Sequence, residues 1–195
     1  MTSLVAAAFA NDPAWTFFFG DEYHQLAEVF AGALFDGRVG SGHVWVSQEL
    51  TAVAMWDPPD GATLSTLEME ELWNPVLTRA GPAASQRMSD YGQALGAVRP
   101  STPYWYLGVL ATQPDRQGQG LATAVMAPVV GDADRDGLDC CLETSTVPNR
   151  LFYERRGFTD STLVEIPAGP PTWWLRRAPS GSWTEARHRG IAPTR

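Results

Sequence analysis

Two side chains lie close together along the chain and have the types needed for proton transfer. Glu143 ends the apolar run Leu138–Ser145, and Tyr153 falls inside the segment Asn149–Arg156 that follows. A carboxylate can take a proton from a nucleophile, directly or through water, and a phenol can give one to a leaving group. Upstream lies Gln113-Pro114-Asp115-Arg116-Gln117-Gly118-Gln119-Gly120-Leu121-Ala122-Thr123, between a strand-like run and a helix-like one. Gly118 and Gly120 remove side chains where backbone must approach a ligand closely. Free N–H groups at the start of the next helix, with the positive end of its dipole, make an anion site. Arg116 and Thr123 can add a charge and a hydroxyl to it. Two better-known phosphate loops are excluded. The dinucleotide pattern needs a third glycine where Thr123 stands, and a P-loop needs a lysine, which this chain lacks. The same residues also have plain structural readings: a tight strand-to-helix turn, a solvated strand-end acid and a packed tyrosine.

The elements that must position these groups can be read from periodicity and breakers. Residues 3–10 form a helix that stops before Asn11-Asp12-Pro13, since the residue before proline disfavours helix. The aromatics Trp15, Phe17, Phe18 and Phe19 follow. A second helix around Tyr23–Phe35 has Leu26, Val29, Phe30 and Ala33 at helical spacing. His43–Val46 and Ala52–Trp56 form paired strands, and Asp57-Pro58-Pro59-Asp60-Gly61 is a strong break. Residues 62–97 are helical, with Leu64, Leu67, Leu72, Val76 and Leu77 as the buried stripe. Tyr104–Thr112 is an apolar strand leading into the glycine loop and a helix over Gly118–Val130. Leu138–Ser145 is a strand and Asn149–Arg156 a short helix capped by Asn149 and Gly157. Phe158–Ile166 and Thr172–Arg177 close the fold as two more strands. This alternation predicts an α/β fold with a mixed central sheet flanked by helices. It fits one domain over residues 1–178, with a polar, loosely held tail over 179–195.

Composition narrows the function classes. A net charge of −8 argues against a nucleic-acid partner. All fourteen basic residues are arginine, so lysine chemistry is excluded throughout. Cys140 and Cys141 are strand neighbours that point to opposite faces, which disfavours both a disulfide and a metal pair. His24, His43 and His188 show no metal-ligand spacing. No apolar run approaches the roughly 18 residues of a membrane-spanning helix. Leu4–Ala10 has no positive flank and reads as helix rather than leader, which leaves the cytoplasm as the expected compartment.

The run Val109–Ala122 resembles motif A of the GNAT superfamily of acetyl-coenzyme A-dependent acetyltransferases, Gln/Arg-x-x-Gly-x-Gly/Ala, here Gln117, Gly120 and Ala122. The resemblance implies the GNAT acyl-CoA N-acyltransferase fold, with acetyl-CoA as co-substrate and no metal. The backbone of Gln117, Gly118, Gln119, Gly120, Leu121, Ala122 and Thr123 would wrap the pyrophosphate. The strand end Leu110, Ala111 and Thr112 would pair with the pantetheine arm. Leu142-Glu143-Thr144-Ser145 and Asn149 through Phe158 resemble the later motif, in which an asparagine (Asn149) contacts the pantetheine and a tyrosine (Tyr153) follows four residues on. Val44–Trp56 and Tyr106–Arg177 are similar to the puromycin N-acetyltransferase family and its actinobacterial relatives. That family begins with an edge strand, whereas this sequence starts at a helix. The strand is then lost or lies upstream, which leaves His43–Val46 at a sheet edge or in a homodimer contact. Thr112 stands where valine is usual, and residues 57–103, where acceptor specificity would lie, match weakly.

The resemblance implies acetyl transfer to a primary amine of a small molecule in a ternary complex. An amine of pKa near 10.4 loses about 4.6 kcal/mol on deprotonation at pH 7, and an α-amine near 8 about 1.4 kcal/mol. A single carboxylate, Glu143, acting through water suits the weaker base. Tyr153, within roughly two units of a thiol, can protonate the departing thiolate. Three readings stay open: a detoxifying enzyme for an antibiotic amine, an enzyme acting on a metabolite amine, and a non-catalytic acyl-CoA-binding module.

Overall fold

A computed structural model describes residues 1–61 and 64–180 of the chain. The first two helices, α1 (Thr2–Ala8) and α2 (Pro13–Phe19), meet at a corner set by Asp12 and Pro13. Asp12 takes an extended conformation ahead of the proline, and its Oδ1 accepts the N–H groups of Ala14 and Trp15 at 2.9 and 3.1 Å. The aromatics after Pro13, given no element in the sequence reading, thus fold as α2 and bury Trp15, Phe18 and Phe19. Helix α3 (Tyr23–Val39) follows. A Ser65/Glu68 capping box opens α4 (Thr66–Gly96), which kinks at Gly81, φ 74°, before Pro82.

The buried stripe expected along α4 holds only in part. Val76 is buried and Leu72 packs against the core, but Leu67 and Leu77 are 64% and 38% exposed. Leu67 lies in the first turn after Ser65, beyond the core's edge, and Leu77 faces a cavity rather than packed side chains.

The sheet contains β1 (Val44–Val46), β2 (Ala52–Asp57), β3 (Tyr104–Thr112), β4 (Asp139–Thr144), β5 (Asp160–Val164) and β6 (Thr172–Arg177). Their order is β1-β2-β3-β4-β6-β5, with β3–β4 parallel and every other pair antiparallel. Among the described residues β1 forms one edge, as the sequence predicts. One face packs on α1–α4 through Val53, Met55, Val109 and Cys141. The other packs on α5 (Leu121–Asp136) and α6 (Val147–Glu154) through Ala54, Trp56, Leu107, Cys140 and Leu142. Cys140 and Cys141 are therefore free, buried and on opposite faces, as expected from strand alternation.

Two features of the sheet prepare the site. Met55 pairs with Val109 but Trp56 with Leu107, so Gly108 is an extra residue in β3, a β-bulge. The parallel β3–β4 pairing stops at Tyr106 opposite Cys141, although β3 runs to Thr112 and β4 to Thr144. Beyond that point β3 stays paired with β2 and β4 with β6, so the sheet opens into a wedge between its two central strands.

The end of β6 is fixed by a buried ion pair. Arg177 donates to both oxygens of Asp134 at 2.7 and 2.8 Å, and their side chains are 6% and 1% exposed. Burial alone would raise the Asp134 carboxyl, and hydrogen bonds from Arg177 and Ser180 more than reverse that, holding it below the usual range. Ser180 is thus tied down although it falls in the segment expected to be loosely held. The rest of that segment, 181–195, lies outside the described residues.

Candidate active site

Helix α5 begins where β3 ends. Gly118 and Gly120 have φ of 76° and 81°, the left-handed region that a side chain disfavours. A Cβ at either position would meet open space, so the turn itself requires glycine. The first helical hydrogen bond of α5 runs from the Ala124 N–H to the Gly120 carbonyl at 3.0 Å. The amides of Leu121, Ala122 and Thr123 therefore have no helical acceptor and face outward along the dipole's positive end. They border a cavity of about 520 Å³ lined by Leu110, Thr112, Gln117, Gly118, Gly120 and Thr123 from the β3–α5 side. Across it stand Asn149, Phe152, Tyr153, Arg155 and Arg156 from α6 and its end.

Arginines rim this cavity, and the sequence reading gave only Arg116 a part in it. Arg116 pairs with Glu49 at 2.8 Å and donates to the Gln119 side chain at 3.2 Å. Arg156 donates to the Thr123 hydroxyl at 2.8 Å and lies 3.5 Å from the centroid of the Phe152 ring. The Thr112 hydroxyl is buried at the end of β3 with no partner among the described residues. An anion cradle of helix amides and arginines, leading to an unpaired strand edge and an orphaned hydroxyl, fits a diphosphate joined to an amide-bearing arm. Acetyl-CoA is such a molecule. Of the residues expected to hold it, Leu110, Thr112, Gln117, Gly118, Gly120, Leu121, Ala122, Thr123 and Asn149 line the cavity. The Ala111 side chain is in the opposite core, leaving only its backbone to take part, and Gln119 is occupied by Arg116.

Asn149 plays a different local part from the one expected. The cap of α6 is Thr146, whose side chain accepts the Asn149 N–H at 3.3 Å. Thr146 precedes Val147-Pro148, a stronger start signal because proline suits the first turn of a helix. Asn149 therefore sits in the first turn with its side chain released from capping, and it lines the cavity.

A second cavity, of about 400 Å³, lies on the α1–α4 side of the wedge. Its walls are aromatic and apolar: Trp15, Phe18 and Phe30, then Trp73, Tyr91 and Leu95 from α4. Helix α4 lies within residues 57–103, the stretch expected to carry acceptor specificity, and builds one wall of this cavity. Phe9, Asp12, Leu110, Asn149 and Tyr153 line both cavities and mark where they join.

Glu143 and Tyr153 are both here, with partners that the sequence did not reveal. Glu143 lines the aromatic cavity, and the Tyr106 hydroxyl donates to its Oε2 at 2.6 Å. Burial raises the Glu143 carboxyl above 4.5, while the Tyr106 hydrogen bond and the charges of Arg99 and Arg38 pull it back in part. The Tyr106 ring stacks on Trp174 at 5.9 Å, and the Arg99 guanidinium lies 5.4 Å from its centroid. Arg38 makes a two-pronged ion pair with Asp57, at 2.7 and 2.8 Å, and lies against Gly108, where a Cβ would come within 2.5 Å of it. Glycine at the bulge thus leaves room for the Arg38 guanidinium to stay paired with Asp57. Tyr153 is buried against Phe152 and Phe158, and burial is the main reason its phenol is raised above 10. Its hydroxyl has no hydrogen-bond partner among the described residues.

Residues 85–160 match the family model of the acetyltransferase (GNAT) domain. A solved structure from Corynebacterium glutamicum, described as a histone acetyltransferase and related acetyltransferase, is similar with TM-score 0.63 and 19% identity. The match covers 92% of this chain and 89% of that one. The polyamine N-acetyltransferase of Drosophila melanogaster, which forms N-acetylagmatine, matches with TM-score 0.58 at 11% identity over 91% of this chain and 92% of that one. An N-acetyltransferase from Staphylococcus aureus Mu50 matches with TM-score 0.54 at 14% identity, again over 91% and 92%. At these identities the likeness is one of fold: the six-stranded mixed sheet between helical layers is that of GNAT acetyltransferases.

Proposed function

We propose that this protein transfers the acetyl group of acetyl-CoA directly to a primary amine of a small molecule within a ternary complex. The supporting observation is the junction of the two cavities at Tyr153, with an anion cradle on one side and an aromatic, carboxylate-bearing cavity on the other. Acetyl-CoA supplies an activated thioester. The lone pair of the amine nitrogen forms the new C–N bond at its carbonyl carbon, and the C–S bond breaks. Tyr153 gives its proton to the departing sulfur, and the amine's proton passes through water to Glu143. A carboxyl raised toward neutrality by burial is the better base near pH 7. Backbone N–H groups where β3 and β4 separate are suited to stabilise the oxyanion.

The acceptor class expected from the resemblance, a puromycin-like or other antibiotic or metabolite amine, is compatible with aromatic walls of this extent. The same resemblance, through the β1 edge, supports association of two copies. Tyr153→Phe removes only the hydroxyl. Its kcat should fall about 10²–10⁴-fold, the range for a general acid, while acetyl-CoA affinity by calorimetry stays within twofold. Full activity of that variant at every pH would reduce Tyr153 to a packing residue and leave acyl-CoA binding without catalysis as the better reading.

A further inference from the structure

Two carboxylates face the aromatic cavity, and they are not equivalent. Glu143 lines that cavity alone; one of its oxygens is engaged by Tyr106, and the charges of Arg99 and Arg38 act on it. Asp12 lines both cavities and shares their junction with Tyr153, where a thioester must meet its nucleophile. Its Oδ1 is spent on the Ala14 and Trp15 amides, whereas Oδ2 has no protein partner among the described residues and is not sealed from solvent. Among the described residues no arginine forms an ion pair with it. Arg38 is matched by Asp57, and Arg99 stands beside Tyr106 and Glu143, so the cavity keeps one unmatched negative charge, at the junction.

We infer that Asp12 is the positioning residue that seats the acceptor's ammonium group at the junction, and that the acceptor is a singly charged primary amine with an aromatic or bulky apolar body. The inference rests on the acetyl-transfer reading for the identity of the second substrate, but on the cavity itself for the charge and shape. Phe9, Trp15, Phe18 and Phe30 line the cavity and supply apolar surface for that body. The second cation of a diamine would find only Glu143, which is already engaged by Tyr106 and faced by the charges of Arg99 and Arg38.

Asp12→Asn is the informative variant, because asparagine caps a helix as well as aspartate does and only the charge is lost. With acetyl-CoA and 2-phenylethylamine as probe, the KM for amine should rise about 10- to 100-fold, the range for losing a hydrogen bond to a charged group. The kcat should change much less, acetyl-CoA affinity should not move, and the melting temperature should not fall, because burial raises the Asp12 carboxyl and its charge contributes no stability there. Cadaverine should be the poorer acceptor for the wild type, by at least tenfold in kcat/KM. Ligand-observed NMR of 2-phenylethylamine on the coenzyme A complex separates the two readings. If the wild type binds it without turnover and Asp12→Asn does not bind it, the Asp12 site stands and the acetyl-transfer reading falls. An amine KM within twofold of wild type in Asp12→Asn, a preference for cadaverine, or no binding of 2-phenylethylamine to the wild type would each overturn the inference.

Discussion

The Tyr106–Glu143 contact offers a direct test of the proposed base. Tyr106→Phe keeps the ring, and with it the stack on Trp174 and the contact with Arg99, and deletes only the hydroxyl that donates to Glu143 at 2.6 Å. Burial raises the Glu143 carboxyl above 4.5, and the Tyr106 hydrogen bond is the largest influence pulling it back. Its loss must raise that carboxyl further, so more of it is protonated at any pH on the acid limb. A hydrogen bond to a charged group is worth about 1.5–3 kcal/mol, a factor of roughly 10–150 in an equilibrium constant. Far down the acid limb the variant's kcat/KM should fall by that factor, and on the alkaline plateau it should equal the wild type. The assay is thiol release from acetyl-CoA between pH 5 and 10 with one amine, plotted as the ratio of variant to wild type. The ratio cancels the ionisation of the amine, which is the same for both enzymes. A ratio that is flat with pH, whether near one or uniformly low, would refute Glu143 as the titrating base.

Three further outcomes follow from the geometry. Gly120→Asp sets a carboxylate on the turn whose amides form the anion cradle, so acetyl-CoA affinity by calorimetry should fall at least tenfold, and the uncharged Gly120→Asn should lose much less. Asp134→Asn leaves the Arg177 charge buried without its partner and should cost about 3–5 kcal/mol in urea unfolding, with a melting-temperature loss that rules out a merely superficial pair. Glu143→Gln should melt higher than wild type at pH 8, the gap closing toward pH 4. A carboxyl raised in the folded state contributes stability below its ordinary value and loses it as pH rises, and glutamine still accepts the Tyr106 hydroxyl. An equal or lower melting temperature at pH 8 would contradict burial as the cause of the shift.

What could be read from sequence was whatever depends on local pattern. The strand–glycine loop–helix unit and the opposite facing of Cys140 and Cys141 follow from spacing and alternation, whereas β1 at the sheet edge came only from the family resemblance. The loop's chemistry is local as well, so its residues assemble around one cavity. The residues that escaped notice are those with two jobs. Asp12 before Pro13 reads as a helix boundary, which it is, and nothing in that signal tells that one carboxylate oxygen stays free. Tyr106 sits in an apolar run that gives no facing, because the bulge at Gly108 shifts the alternation midway along β3. Asn149 looked like a cap because asparagine is a good one, yet Thr146 with Pro148 behind it makes the stronger start. The stripe along α4 failed at Leu67 and Leu77 because helical periodicity marks a face, not whether a core or a cavity lies opposite it.

The wedge between β3 and β4 explains why these scattered groups amount to one site. Splitting a sheet between two central strands normally leaves costly unpaired backbone, but β2 and β6 continue to satisfy the outer side of each strand. Only the inner edges lack partners, and a ligand carrying amide groups can supply them as another strand would. The Gly108 bulge and the Arg38–Asp57 pair braced against it lie beside the point of divergence, and the glycine turn into α5 lies at the far end of β3. A phosphate-bearing chain anchored at that turn and laid along the inner edge of β3 is directed toward Leu110 and the junction. Tyr153 of α6 and Asp12 of the α1–α2 corner both line that junction. For the proposed reaction the split sheet would act as the ruler, because it would set how far into the protein a thioester can reach. Helix α4, which shapes the aromatic cavity, is free to change acceptor specificity without disturbing that measurement.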